Sequence, residues 1–143
     1  MKLFTCRLNN TGAPKSATDQ RMHDALRRSA QRWNDTGVVR IIPSGDKGPA
    51  DIIIYWHDAE WGKIATTSMP SRHIKINRTH SFGWNWLTRL FAADMDLTLT
   101  HEFGHAIGLK HSDNPKSIMF AKQFNRANIT QDDINELKTI HPQ

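Results

Sequence analysis

The chain has 143 residues with five Trp, six Phe and 23% charged residues, which is enough for one folded domain with a real core and too short for two. A net charge of +5 and a pI of about 9.7 come from nineteen Lys and Arg scattered along the chain, which favours solubility or an anionic surface partner and gives no basis for expecting nucleic acid. The single cysteine, Cys6, excludes an intramolecular disulfide framework; no apolar run is long enough for a membrane span, and no signal peptide is expected in the chain as it stands.

In chain order, KLFTCRL (2–8) reads as a first strand, ended by the turn-rich NNTGAP. From Thr18 to Asn34, Met22, Leu26, Ala30 and Trp33 recur at helical spacing and predict an amphipathic helix. VVRII (38–42) and DIIIYW (51–56) read as buried strands joined through PSGDKGPA, and IATTSM (64–69) and HIKIN (73–77) as two more short strands. The segment from Ser81 to Ala93 has no clear period; Trp84, Trp86, Leu87, Leu90 and Phe91 are expected to pack over the sheet. A helix is expected from Asp94 or Asp96 to Leu109. The last helix has a complete start signal, with Thr130 as N-cap, Asp133 at the capping-box position and Ile129 stapling onto Ile134. The sum is one α+β domain over residues 1–143.

The stretch LTHEFGHAIGLKHS (99–112) gathers three of the chain's eight histidines. On a helix, His101 and His105 are separated by about 40° in angle and about 6 Å in rise, so they can grip one ion from the same face. On a continued helix His111 would lie about 120° away from that face, so the helix must stop, and Gly108 tolerates the left-handed turn that brings the chain back. Three neutral imidazoles make a tripod with a fourth tetrahedral position open to water, the pattern of a catalytic rather than a structural zinc site. Glu102, beside the first ligand, can accept a proton from the activated water and deliver it to the departing amine. The plain alternative is a helix whose histidines only cap, pack or hydrogen-bond; the full H-E-x-x-H-x-x-G-x-x-H spacing argues against it, since each position has a mechanical reason.

At these residues the chain resembles the metzincin zinc endopeptidases, and within them the catalytic domain of the matrixins, the matrix metalloproteinase family. Ser112 directly after the third histidine is the matrixin-like choice, and SIMF (117–120) resembles the Met-turn that floors the three imidazoles, with Met119 as its methionine or else an ordinary core residue. FTCRLNN looks like the family's first strand, ALRRSAQRWND its first helix, ADIIIYW its third strand and ITQDDINELK its final helix. The resemblance implies a zincin-like metzincin fold, a small twisted mixed sheet of about five strands with three helices, divided into an upper part (about 1–108) and a lower part (about 109–143).

It also implies a substrate geometry. GKIATTSMP (62–70) resembles the upper rim strand of the cleft, where Ile64, Ala65 and Thr66 would offer backbone hydrogen bonds to an extended peptide; an ordinary edge strand would look the same. Leu97, one turn before His101, matches the position that sets the depth of the pocket for the side chain following the scissile bond, or else packs in the core. With apolar Ile118 and Phe120 near that pocket, a bulky apolar residue is expected there.

Several positions depart from the family pattern. Phe120 is followed by Ala121, Lys122 and Gln123 rather than a proline-containing segment, and no tyrosine lies two residues after Met119 to serve as a further ligand. No upstream propeptide with a cysteine switch is expected, and Cys6 is expected as a small core residue. Matrixins typically carry a second zinc and calcium on the loop after the third strand, but here that loop is only HDAEWG (57–62), Thr66 stands where the rim strand would present a histidine, and Lys75 occupies the next ligand position. One catalytic zinc per chain, without a second zinc or calcium, is therefore expected; the competing arrangement is a different second site built from His57, Asp58, His73 and His80.

The expected activity is zinc-dependent hydrolysis of internal bonds in extended protein or peptide substrates by a monomer. The alternatives are a zinc hydrolase of cell-wall cross-link peptides and a non-hydrolytic zinc-stabilised binding module. Intact Glu102 speaks against the last, since a binding module needs the histidines but not the base. Secretion is what the family resemblance implies for location.

Overall fold

Residues 1–45, 47–58, 62–84, 87, 92–122 and 127–143 are described by the structure, a computed structural model. Strands β1 (Lys2–Asn9), β2 (Val39–Pro43), β3 (Ile52–His57), β4 (Ala65–Ser68) and β5 (His73–Asn77) form one sheet in the order β2-β1-β3-β5-β4. All neighbours are parallel except β4, which runs antiparallel to β5 and leaves its other edge unpaired in the sheet. Among the described residues there are three helices: α1 (Asp19–Asn34), α2 (Met95–Ala106) and α3 (Gln131–Ile140). The expected α+β class, with five strands in a mixed sheet and three helices, is found.

Burial along the strands alternates. In β3, Ile52, Ile54 and Trp56 are buried while Ile53, Tyr55 and His57 are half-buried, and β5 buries Ile74 and Ile76 against the same core. Only one sheet face is therefore fully covered, although parallel strands more often bury both. Each of these isoleucines contributes about 1.5–3 kcal/mol by leaving water. Cys6 is fully buried in this core, as expected, and desolvation raises its thiol to about 12, so it stays protonated and inert.

α1 starts where Thr18 accepts a hydrogen bond from the Arg21 amide at 3.3 Å, and buries Met22, Ala25, Leu26, Ser29, Ala30 and Trp33 along one stripe. That stripe packs on α2, of which eleven residues are buried. Polar pins fix the pair in register: Arg28 makes two 2.9 Å bonds to the Asp96 carboxylate, Ser29 Oγ donates to the Asp96 carbonyl at 3.1 Å, and Trp33 Nε1 donates to the Thr100 carbonyl at 2.8 Å. A helix buried nearly all round is thereby fixed lengthwise as well as pressed against its neighbours.

One helix end and one strand pair differ from expectation. α2 begins at Met95 with Asp94 as its cap, the carboxylate accepting from the Asp96 amide at 2.9 Å, and it ends at Ala106 rather than Leu109. Between residues 81 and 93, Phe82–Gly83 (β6) and Ala93–Asp94 (β7) pair as two short strands that the sequence does not announce. Trp84 packs half-buried against the core as expected, while Leu87 lies in a turn beyond β6 and is 57% exposed. Trp86, Leu90 and Phe91 lie outside the described residues. α3 starts as its sequence predicts, with both halves of the Thr130–Asp133 capping box formed.

Candidate metal centre

α2 delivers His101 and His105 to the same side, four residues apart. The turn that follows is a Schellman motif, with Gly108 at φ 115°, its amide donating to the His105 carbonyl at 3.0 Å and the Leu109 amide to the Gly104 carbonyl at 2.9 Å. The turn ends the helix and returns His111, so that one nitrogen from each of the three imidazoles lies within 4.8 Å of the others. His101 is buried, His105 half-buried and His111 exposed, a gradient that runs outward from the core.

Backbone carbonyls set the tautomers. His101 Nδ1 is 2.6 Å from the Ile118 carbonyl and His105 Nδ1 is 2.8 Å from the Leu109 carbonyl. A carbonyl can only accept, so each Nδ1 carries the proton and each Nε2 presents a lone pair. The two Nε2 atoms face each other at 3.1 Å, where lone pairs repel unless a cation lies between them. Two nitrogens sharing one tetrahedral zinc at about 2.0–2.1 Å would stand about 3.3 Å apart, so the donor set and its spacing fit that ion. Burial lowers the His101 pKa to about 4, and burial followed by the nearby His105 lowers that of His111, so both rings are held in the neutral form a metal requires.

Glu102 is 5% exposed, next to this centre. Its Oε2 accepts a hydrogen bond from the Thr67 hydroxyl, which also lies 3.3 Å from the Glu102 carbonyl. Burial pushes the Glu102 carboxyl above its ordinary pKa, and the Thr67 hydrogen bond opposes that shift. Both groups open on a cleft of about 870 Å³ between β4 and α2, lined on its upper side by Ile64, Ala65, Thr66 and Thr67 and on its helix side by Thr98, His101, Glu102 and His105.

Met119 is fully buried beneath the helix. A Cβ on Gly104 would collide with Met119 Sδ and come within 2.9 Å of Trp33 Cζ2, so glycine is what allows methionine and tryptophan to close on α2 at this level. The Met119 amide donates to Ser117 Oγ at 2.9 Å, and that hydroxyl donates to the Asp133 carboxylate, with oxygens at 2.7 and 2.8 Å. Asp133 is the capping-box residue of α3, so one buried carboxylate ties the helix start to the loop under the histidines.

The structure brings His101, Glu102, His105 and His111 together and sets Ile64, Ala65 and Thr66 along the cleft. It does not bring Leu97, Ile118 or Phe120 into the described cleft lining. Leu97 and Ile118 are 5% and 2% exposed, packed in the core, and Phe120 is half-buried outside the lining. The reason is helical phase: the cleft-facing stripe is 98, 101, 102 and 105, an i, i+3, i+4, i+7 set on which Thr98 takes the place expected for Leu97. Ile118 serves through its carbonyl instead of its side chain. Thr67, Thr98, Gly104 and Ser117 are absent from the sequence-based reading; strand alternation from Ala65 and helical spacing from His101 point to the first two, while the others answer to distant partners.

His57, Asp58, His73 and His80 are not gathered around a common point. Among the described residues, the only group of three or more His, Cys, Asp or Glu side chains placed to hold one ion is His101, His105 and His111. Asp58 pairs with Arg78 at 2.9 Å, and His73 packs edge-on against Tyr55 at 5.9 Å between centroids. Thr66 and Lys75 stand directly opposite each other in the β4–β5 register.

The sequence profile of the Matrixin family matches residues 2–142. Macrophage metalloelastase of Rattus norvegicus is 28% identical over 130 residues, covering 81% of this chain and 28% of its own length. Matrix metalloproteinase-27 of Homo sapiens is 34% identical over 133 residues, covering 82% and 26% respectively. Interstitial collagenase of Equus caballus is 24% identical over 140 residues, covering 90% and 29%. The chain thus spans less than a third of the length of these relatives.

Proposed function

The chain belongs to the matrixin family, and from that premise we propose that its three-histidine centre is the active site of a zinc-dependent endopeptidase acting on extended polypeptide. The observation that carries this reading is Glu102, a buried carboxylate opening on the same cleft as three convergent imidazoles and beneath an unpaired strand edge. His101, His105 and His111 would hold the ion, with Met119 beneath them. Bound there, zinc supplies Lewis acidity that makes water nucleophilic near neutral pH and polarises the scissile carbonyl.

The remaining work falls to the chain's own residues. The backbone of Ile64, Ala65 and Thr66 pairs with the substrate and holds it extended, so that the scissile carbonyl stops over the centre. Glu102 takes the proton of the attacking water as its oxygen bonds to the carbonyl carbon. The same carboxyl then gives the proton to the nitrogen as the C–N bond breaks. Thr67 occupies one carboxylate oxygen and leaves the other for this exchange. One zinc per chain and action as a monomer belong to the same proposal.

Digesting a casein-type protein and a purified cell wall side by side, each with and without chelator, tests it. Cleavage of the protein that chelator stops and added zinc restores is the expected result. Release of cell-wall peptides alone would move the activity to that substrate, and metal binding with no cleavage of either would leave a binding module.

A further inference from the structure

Three lysines stand on three sides of the cleft. Lys63 precedes β4 on the upper rim, with its carbonyl held at 2.8 Å by Nδ2 of the fully buried Asn77. Lys110 lies between Leu109, whose carbonyl orients His105, and His111. Lys122 lies past Met119 on the lower side. All three are exposed, and none has an ion-pair partner among the described residues. Elsewhere Arg27, Arg28 and Arg78 are each neutralised by an aspartate. Among the described lining residues the only acid is Glu102, which is buried.

A concave wall with one sign of charge concentrates the field over its mouth. At low salt the screening length is about 10 Å or more, so the three ammonium groups act together on anything entering the cleft. Lysine carries a point charge on a flexible stem, which suits a carboxylate at any of several positions along an extended strand better than one fixed bidentate geometry. Thr66, Thr67 and Thr98 add hydroxyls without opposing charge, and Ile64 and Leu109 add apolar surface.

We propose that the cleft selects acidic segments of polypeptide, with Asp or Glu side chains flanking the scissile bond, and disfavours basic ones. This rests on the endopeptidase reading and specifies its substrate class. Recognition is through the carboxylates of side chains, supplied to Lys63, Lys110 and Lys122 around the cleft.

The test uses three peptides with identical residues at the scissile bond, blocked at both ends, and flanked by Glu, Gln or Lys. The zinc-loaded chain should cleave them with kcat/KM in the order Glu, Gln, Lys, spanning about tenfold or more at low ionic strength and shrinking to within about twofold at about 1 M NaCl. Lys63→Glu/Lys122→Glu should reverse the order. The milder Lys63→Gln/Lys122→Gln should flatten it and serves if the charge reversal fails to fold. Binding of the same peptides, fluorescently labelled, to Glu102→Ala protein should follow the same order without turnover. Equal rates for the Glu- and Lys-flanked peptides at low salt, or a preference unmoved by salt, would overturn the inference. If none of the three is cut while Glu102→Ala protein still binds the Glu-flanked peptide more tightly than the Lys-flanked one, the endopeptidase reading fails and the acidic preference stands.

Discussion

Glu102 and Thr67 are thirty-five positions apart in sequence, and the Thr67 hydroxyl bonds both the side-chain carboxylate and the backbone carbonyl of Glu102. In the proposed mechanism Thr67 is a positioning residue, since what it touches is the Glu102 carboxylate. A hydrogen bond to a charged group is worth about 1.5–3 kcal/mol, so Thr67→Val should lower kcat by about ten- to a hundredfold with little change in KM, and Thr67→Ser should recover most of it; steady-state kinetics on the three proteins checks this. A fall confined to KM would place Thr67 in substrate binding instead. His105→Ala should lose metal and activity together, read by elemental analysis and turnover on one preparation. Gly104→Ala should destabilise the chain by about 1–3 kcal/mol despite alanine's better helix propensity, because the added methyl meets Met119 and Trp33; a denaturant melt of the two proteins measures it. His101, His105 and Glu102 were legible because a helical repeat of 3.6 residues converts their spacing directly into a shared face, and His111 because the glycine at 108 lets the chain turn back. Thr67 and Gly104 were not, since what defines them is a partner on another element.

The same distinction separates the elements. α3 was legible from its own residues, because Thr130 and Asp133 cap it locally. The second task of Asp133, receiving Ser117, joins residues sixteen apart and has no local signature. Ser117→Ala leaves a buried carboxylate short of a donor and frees the Met119 amide, which should cost about 1–3 kcal/mol and lower the melting temperature of the metal-free chain. Unchanged stability would mean that the loop beneath the histidines does not depend on α3. The end of α2 was legible in kind through Gly108, which the return of His111 requires, but not in place: the Schellman turn closes at Ala106 because its carbonyl partners are Gly104 and His105. β6 and β7 were not legible, since two-residue strands carry too few positions to show a period. Leu97 shows the limit from the other side: position within a motif suggested the cleft, and helical phase turned the side chain into the core.

Over the whole molecule, folding holds His101 neutral, and this has a consequence for acid stability. Its pKa falls from 6.5 to about 4 on folding, because burial penalises the charged ring. Between those values the unfolded chain binds a proton that the folded chain does not, so stability declines as pH drops through this window. In metal-free protein that decline should amount to about 3 kcal/mol from this one group, measured as the denaturant midpoint against pH, and replacement of His101 by Gln should flatten it. The fold, the histidine centre and the cleft are the ground of the proposal that Glu102, a buried carboxylate beside three convergent imidazoles, transfers protons in zinc-dependent peptide hydrolysis. The most direct measurement is zinc content and turnover on a single preparation of Glu102→Ala protein alongside the parent. The account predicts one zinc per chain in both, with turnover in the variant lower by at least about a hundredfold, since the ligands are intact and only proton transfer is lost. Turnover retained near the parent level with zinc still bound would contradict it and assign the proton transfer to another group.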